Sequence, residues 1–196
     1  GEDPHSVRDS GLGWQTDCFI SRWNSDWSYG WTRSWGGAEN DTGYDNALGP
    51  VSEDLYSIGT FQLTDIDFNE DPGPADVNTH SSNGSYDVYI TRRGTDASYD
   101  WTITYGGTGS DYGLQIITDS SENLYVVGRF ENTVDFDPGA GTDSHTSAGE
   151  TDGYISKFNS SGAHQWTRTF GSTFSDQASG VALDGSGNLY VTGYYR

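Results

Sequence analysis

One set of landmarks occurs three times in the same order, and it narrows what this chain can fold into more than any other feature. The segments DCFIS at 17–21, DVYIT at 87–91 and DGYIS at 152–156 begin at Asp17, Asp87 and Asp152. The pairs Trp31-Thr32, Trp101-Thr102 and Trp166-Thr167 follow at the same spacing, as do Gly36-Gly37, Gly106-Gly107 and Gly171-Ser172. Then come LYSIG at 55–59, LYVVG at 124–128 and LYVTG at 189–193. Such self-similarity marks a fold built from one supersecondary unit, each copy burying its apolar face against the next.

Four runs in the best-defined copy read as strands: 113–119, 123–130, 153–158 and 165–170. They are rich in aromatic and β-branched residues, which suit a pleated, half-buried surface. Asp119–Asn123 and Asp184–Asn188 have the composition of hairpin turns, and Asn159–Gly162 joins the third run to the fourth. A longer link separates the second run from the third and carries DFDPGAG at 135–141, with a looser counterpart, DFNEDPG, at 67–73. No stretch of useful length has helical spacing. The expected class is therefore all-β and β-propeller-like, with four-stranded antiparallel blades. One repeat domain spans 1–196, in about three units of ~65 residues near 3–70, 71–136 and 137–196.

The segments SGVALDGSGNLYVTG at 179–193, DGYISKFNSSG at 152–162 and QWTRTFG at 165–171 resemble the β-propeller repeat family called SBBP. The resemblance covers most of 17–196 and implies a secreted or surface protein of bacterial type. The chain departs from a usual propeller repeat of ~40–45 residues through its long second-to-third link.

The phase of the repeat raises a question of partners. Asp3-Pro4 stands before Asp17 much as Asp71-Pro72 stands before Asp87 and Asp137-Pro138 before Asp152. The residues given thus open inside a link and stop just before one. The terminal blade is expected to be split: the first two strands in sequence need the last two as partners, or strands from another chain. A closed ring of three blades falls below the smallest propellers, which have about four. Two chains could share blades in a six-bladed ring, or copies could join head to tail into an open filament. The third possibility is a window from a longer propeller.

Charge and cysteine content exclude several functions. The chain has 29 acidic against nine basic side chains, a formal charge of −20. That is the wrong sign for nucleic acid or an anionic membrane. No apolar run is long enough to span a bilayer, so no membrane insertion is expected. Cys18 is the single cysteine and reads as a small buried hydrophobe. The acidity suits a calcium-rich or salty extracellular setting.

Candidate sites are few. In the first link Asp65, Asp67, Asn69 and Asp71 alternate, which lines their oxygens along one side of the segment as calcium requires; Asp135 and Asp137 are the second link's counterparts. The competing reading puts Ile66, Phe68, Val134 and Phe136 in a core and leaves the acids in water. Asn40, Asn83 and Asn159 begin N-glycosylation sequons. His80 and His145 recur without a second ligand at metal spacing and read as loop contacts. Trp31, Trp101 and Trp166 read as packing between blades, with a sugar-binding groove as the other use of such faces. Trp14, Trp23, Trp27 and Trp35 cluster outside this register and are expected on a surface. No nucleophile elbow, phosphate loop or zinc helix is present, so no enzyme is expected. The reading that follows is an extracellular structural protein that binds copies of itself, with a fibril as one form of that assembly. The alternative is an adhesin or lectin that binds glycans.

Overall fold

The structure, a computed structural model, describes residues 15–62, 66–69 and 78–196. Among them every regular element is a strand. The first four are β1 (Cys18–Trp23), β2 (Tyr29–Trp35), β3 (Thr42–Leu48) and β4 (Leu55–Gln62). A short link hairpin follows, β5 (Ile66–Asp67) with β6 (Thr79–His80), before β7 (Tyr86–Arg93) and β8 (Tyr99–Tyr105). The pattern repeats as β9 (Tyr112–Thr118), β10 (Leu124–Phe130), the link hairpin β11 (Thr133–Asp135) and β12 (Ser144–Thr146), then β13 (Asp152–Phe158) and β14 (His164–Phe170). The chain closes with β15 (Gln177–Leu183) and β16 (Leu189–Tyr194).

Two four-stranded antiparallel sheets result, β3-β4-β7-β8 and β9-β10-β13-β14. Their middle pairs share one register: Gly59 faces Tyr89 and Ser57 faces Thr91, as Gly128 faces Tyr154 and Val126 faces Ser156. The four strands expected in the best-defined copy are all present, within about a residue at each end. On either side lies a two-stranded sheet. By landmark, β1-β2 corresponds to the third and fourth strands of a full sheet and β15-β16 to the first and second. These two pairs do not join each other within the chain: β1 pairs with β2, and β15 with β16.

The turns show why the landmarks recur. In each third-to-fourth connection one residue takes a left-handed backbone, at Trp27, Ala97 and Gly162. The same two hydrogen bonds close all three loops, for example Asn159 N–H to Ala163 O and Gly162 N–H to Asn159 O, both 2.9 Å. Gly162 is the residue that adopts this conformation without strain, whereas a tryptophan there is a genuine outlier.

Burial is organised between sheets. The largest cluster lies between the two full sheets and includes Ile58, Val88, Ile90, Ile116, Val126, Phe130 and Tyr154. A second joins β1-β2 to the first full sheet through Cys18, Trp35, Phe61 and Tyr89, and a smaller third joins β15-β16 to the second through Val127, Ile155 and Val181. Cys18 is buried as expected and receives the Tyr89 hydroxyl at 3.4 Å. Trp35 corrects its expectation. It lies in the second cluster, edge-on to Tyr89 at 5.8 Å, because it occupies the repeat position of Tyr105 and Phe170. Trp23 and Trp27 are exposed, and Trp14 lies outside the described residues.

Candidate functional site

The link residues read as oxygen donors are placed as follows. Asp65 and Asp71 lie outside the described residues. Asp67 Oδ1 accepts the backbone N–H groups of Asn69 (3.0 Å) and Asn78 (3.1 Å), and Asp135 Oδ1 accepts those of Asp137 (3.1 Å) and Asp143 (2.9 Å). Asp137 Oδ1 in turn accepts the N–H of Gly139 at 2.8 Å. Each carboxylate thus folds its own link hairpin as an Asx turn does. The alternating Ile66, Phe68, Val134 and Phe136 are buried. Among the described residues, no three His, Cys, Asp or Glu side chains converge into a possible metal cluster.

His80 and His145 pack edge-on against Phe68 and Phe136, at 5.6 and 5.7 Å, and both contact a threonine hydroxyl of the fourth strand. Of the sequons, Asn83 is exposed, but its Nδ2 donates to Asp87 Oδ2 and to Gly106 O. Asn40 Oδ1 accepts the N–H of Thr16, and Asn159 Oδ1 accepts those of Ser161 and Ala163.

The repeated tryptophans pack between sheets. Trp31 Nε1 donates to Thr95 O at 3.1 Å, in the β7–β8 turn, and the Trp101 ring lies against Gly162 in the β13–β14 turn. Trp31 and Trp101 therefore rest on the outer turn of the next sheet. Trp166 instead tilts over Tyr125 of its own sheet, 6.3 Å between ring centres.

A second set of residues was not singled out from sequence. Asp41, Asp111 and Asp176 recur at the repeat spacing, and each clasps two backbone N–H groups across a seam. Asp41 takes Gly37 and Gln62, Asp111 takes Gly107 and Glu131, and Asp176 takes Ser172 and Arg196. Burial pushes Asp41 up to about 6 and Asp111 up to about 7, against the pull of those N–H donors. Burial pushes the neighbouring Asp87 up to about 6 as well. Burial also acts to raise Asp176, but its bonds from Arg196 and Ser172 outweigh it and hold the carboxyl below its ordinary range. The signal that could have revealed these acids was present: Asp41, Asp111 and Asp176 keep the 70- and 65-residue offsets of the other landmarks.

The open sheets differ most from their filled counterparts. Tyr56 and Tyr125 are buried, while their equivalent Tyr190 is 60% exposed. Tyr89 and Tyr154 have no exposed surface, while their equivalent Phe19 is 62% exposed. Each two-stranded sheet presents, along one side, the edge that a full sheet covers with another strand. Such an edge offers main-chain donors and acceptors to an incoming strand.

A search of curated proteins found no match to this chain. Residues 165–194, which run from β14 through β16, match the family model for the SBBP beta-propeller repeat, which fits the repeated all-β organisation of the chain.

Proposed function

We propose that this is an extracellular structural repeat protein that assembles with copies of itself by completing a split blade. The observation that carries this reading is the complementarity of its two open edges. β1 is the third-strand type and β16 the second-strand type, and in both full sheets those two types are hydrogen-bonded neighbours. Transferring the register of the full sheets sets Gly193 opposite Phe19 of a second copy, Val191 opposite Ser21 and Leu189 opposite Trp23. The two edges lie on different sheets of one chain, so each contact joins unlike surfaces. Repeated, it closes into a ring, the smallest being two chains sharing blades, where the rotation permits, and gives a filament where it does not.

The acidic composition supports an extracellular setting, where dissolved ions screen the self-repulsion of a −20 chain. Electron microscopy of the purified chain tests the proposal. Fibres or rings that persist on dilution and in high salt are expected, since strand pairing and apolar burial carry the contact. Particles of single-chain mass at every concentration would sink it. A chelator on a parallel grid tests the oxygen-rich links: fibres lost on chelation would give calcium at Asp65–Asp71 or Asp135–Asp137 a structural role.

A further inference from the structure

We propose that Phe19 is a knob, and that the groove beside Phe170 and Gly193 of a second copy is the slot that receives it. This rests on the assembly reading above and assigns it a specific side-chain contact.

The two filled slots define the geometry. Tyr154 projects from β13 over Gly128 of its own sheet, where an added Cβ would come within 2.9 Å of the ring. Its ring meets Tyr105 at the end of the preceding sheet's fourth strand, with the two hydroxyls 3.1 Å apart, and its hydroxyl also donates to Tyr112 O at 3.2 Å. Tyr89 repeats the arrangement one sheet earlier. It lies over Gly59, where an added Cβ would approach its ring to 2.8 Å, and packs against Trp35. Both slots thus have a glycine floor, where an added Cβ would meet first the first-strand carbonyl, Thr42 O or Tyr112 O, and then the ring, and an aromatic wall from the preceding sheet.

The third slot is built from the same parts and has no ring in it. An open groove of about 370 Å³ is lined by Phe170, Gln177, Val191, Gly193 and Tyr194, among others. Phe170 stands at the repeat position of Trp35 and Tyr105, Gly193 at that of Gly59 and Gly128, and Gln177 at that of Tyr112. The third knob, Phe19, is at the opposite end of the same chain and mostly exposed. The chemistry also matches. Tyr154 has a hydroxyl and its wall, Tyr105, supplies a hydroxyl partner; Phe19 has none, and its wall, Phe170, has none either.

A neighbouring contact agrees with this docking. Trp31 and Trp101 each rest on the outer turn of the following sheet, and the docked partner would bring its Asn24–Ser28 turn over Trp166. That turn carries Trp27, 83% exposed and left-handed at φ 65°, where the other two copies have Ala97 and Gly162. An exposed tryptophan held at a strained position fits a residue that gains its burial from a partner.

The test uses the full chain and four forms: wild type, Phe19→Ala, Phe19→Tyr and Phe170→Ala, with the double alanine variant to close the cycle. Sedimentation over a concentration series reads association, and thermal melts at high dilution check that each variant folds. We expect each alanine to weaken association at least about tenfold, and the double variant to be no worse than the stronger single. Phe19→Tyr is expected to retain association, because the Gln177 carbonyl can accept its hydroxyl as Tyr112 O accepts that of Tyr154. If wild type associates and the alanine variants associate equally well, the slot is overturned while strand pairing stands. If wild type stays monomeric at every concentration, both readings fall.

Discussion

The seam between the two full sheets and the open face of β15-β16 are made from one repeat, yet they hold equivalent residues in opposite states. In the filled seam Tyr154 is wrapped by Tyr105, Phe130 and Phe136, with ring centres 4.9–6.4 Å away. At the open face the same floor and wall line an empty groove. The residue types barely change between the two. What changes is whether a following third strand is present, so burial in this molecule is a property of position in the array as much as of side chain.

The strongest way to break that comparison is to truncate both knobs. Tyr154→Ala should cost roughly 3–5 kcal/mol, the usual cost of emptying a large aromatic site in a packed core. Phe19→Ala should stay within about 0.5 kcal/mol at dilutions where the chain is unassociated, as exposed substitutions do. Urea unfolding of both variants decides it. A large loss at Phe19 under those conditions would mean that its surroundings within one chain are already those of Tyr154.

The seam acids sharpen the same contrast through pH. Asp41, Asp87 and Asp111 hold their protons to about 6, 6 and 7, against an ordinary 3.8. Between those limits the folded chain binds more protons than the unfolded chain, so stability falls as pH rises from about 4 to 7 and levels off above. The loss should reach several kcal/mol in total, since each pH unit by which a carboxyl is raised is worth about 1.4 kcal/mol, and urea midpoints across that range measure it. Below pH 4 the trend should reverse, because Asp184, held at about 2 mainly by the Asn188 side chain, loses its stabilising charge there. Asp111→Asn should flatten the slope between pH 4 and 7. It should also cost about 1–3 kcal/mol near pH 5, since an amide has one oxygen where Asp111 receives N–H groups on two. Asp176→Asn, beside the two-stranded β15-β16 sheet, should cost less than Asp111→Asn between two complete sheets; equal costs would remove the distinction between complete and half-complete sheets.

Much of this architecture is legible in sequence because each repeat landmark has a local cause. The LYVVG run is the second strand of a sheet whose glycine must make room for the Tyr112 carbonyl and for a ring, and DGYIS supplies the ring. The alternation in DFDPGAG correctly separates buried Val134 and Phe136 from the acids, but composition did not reveal that Asp135 would fold the link into a hairpin through backbone N–H groups. Trp35 was misplaced for a related reason. Its register partners are Tyr105 and Phe170, and a search for repeated tryptophan passes over a position that conserves only aromaticity through the copies. The seam acids were hidden among the chain's 29 acidic residues, where residue type alone has no discriminating value. Their role depends on which N–H groups the fold brings to them. The slot was least legible of all, since it unites Phe19, Phe170 and Gly193 only after strand register is known.

The smallest effect concerns one oxygen atom. Tyr154 is buried with its hydroxyl bonded to Tyr105 Oη and to Tyr112 O. Tyr154→Phe creates the side chain that the third copy already has at Phe19, and keeps the ring on its glycine floor. The cost should be about 1 kcal/mol, the net worth of a buried hydrogen bond, because Tyr105 would be left without its partner. Pairing it with Tyr105→Phe recreates the wall found at Phe170 and should recover part of that loss, since removing both polar groups is less costly than stranding one. A double-mutant cycle by urea unfolding measures the recovery. A double variant as costly as the two singles added together would show that the hydroxyls are not coupled, and that the Phe19–Phe170 match has no counterpart in the chemistry of the filled seam.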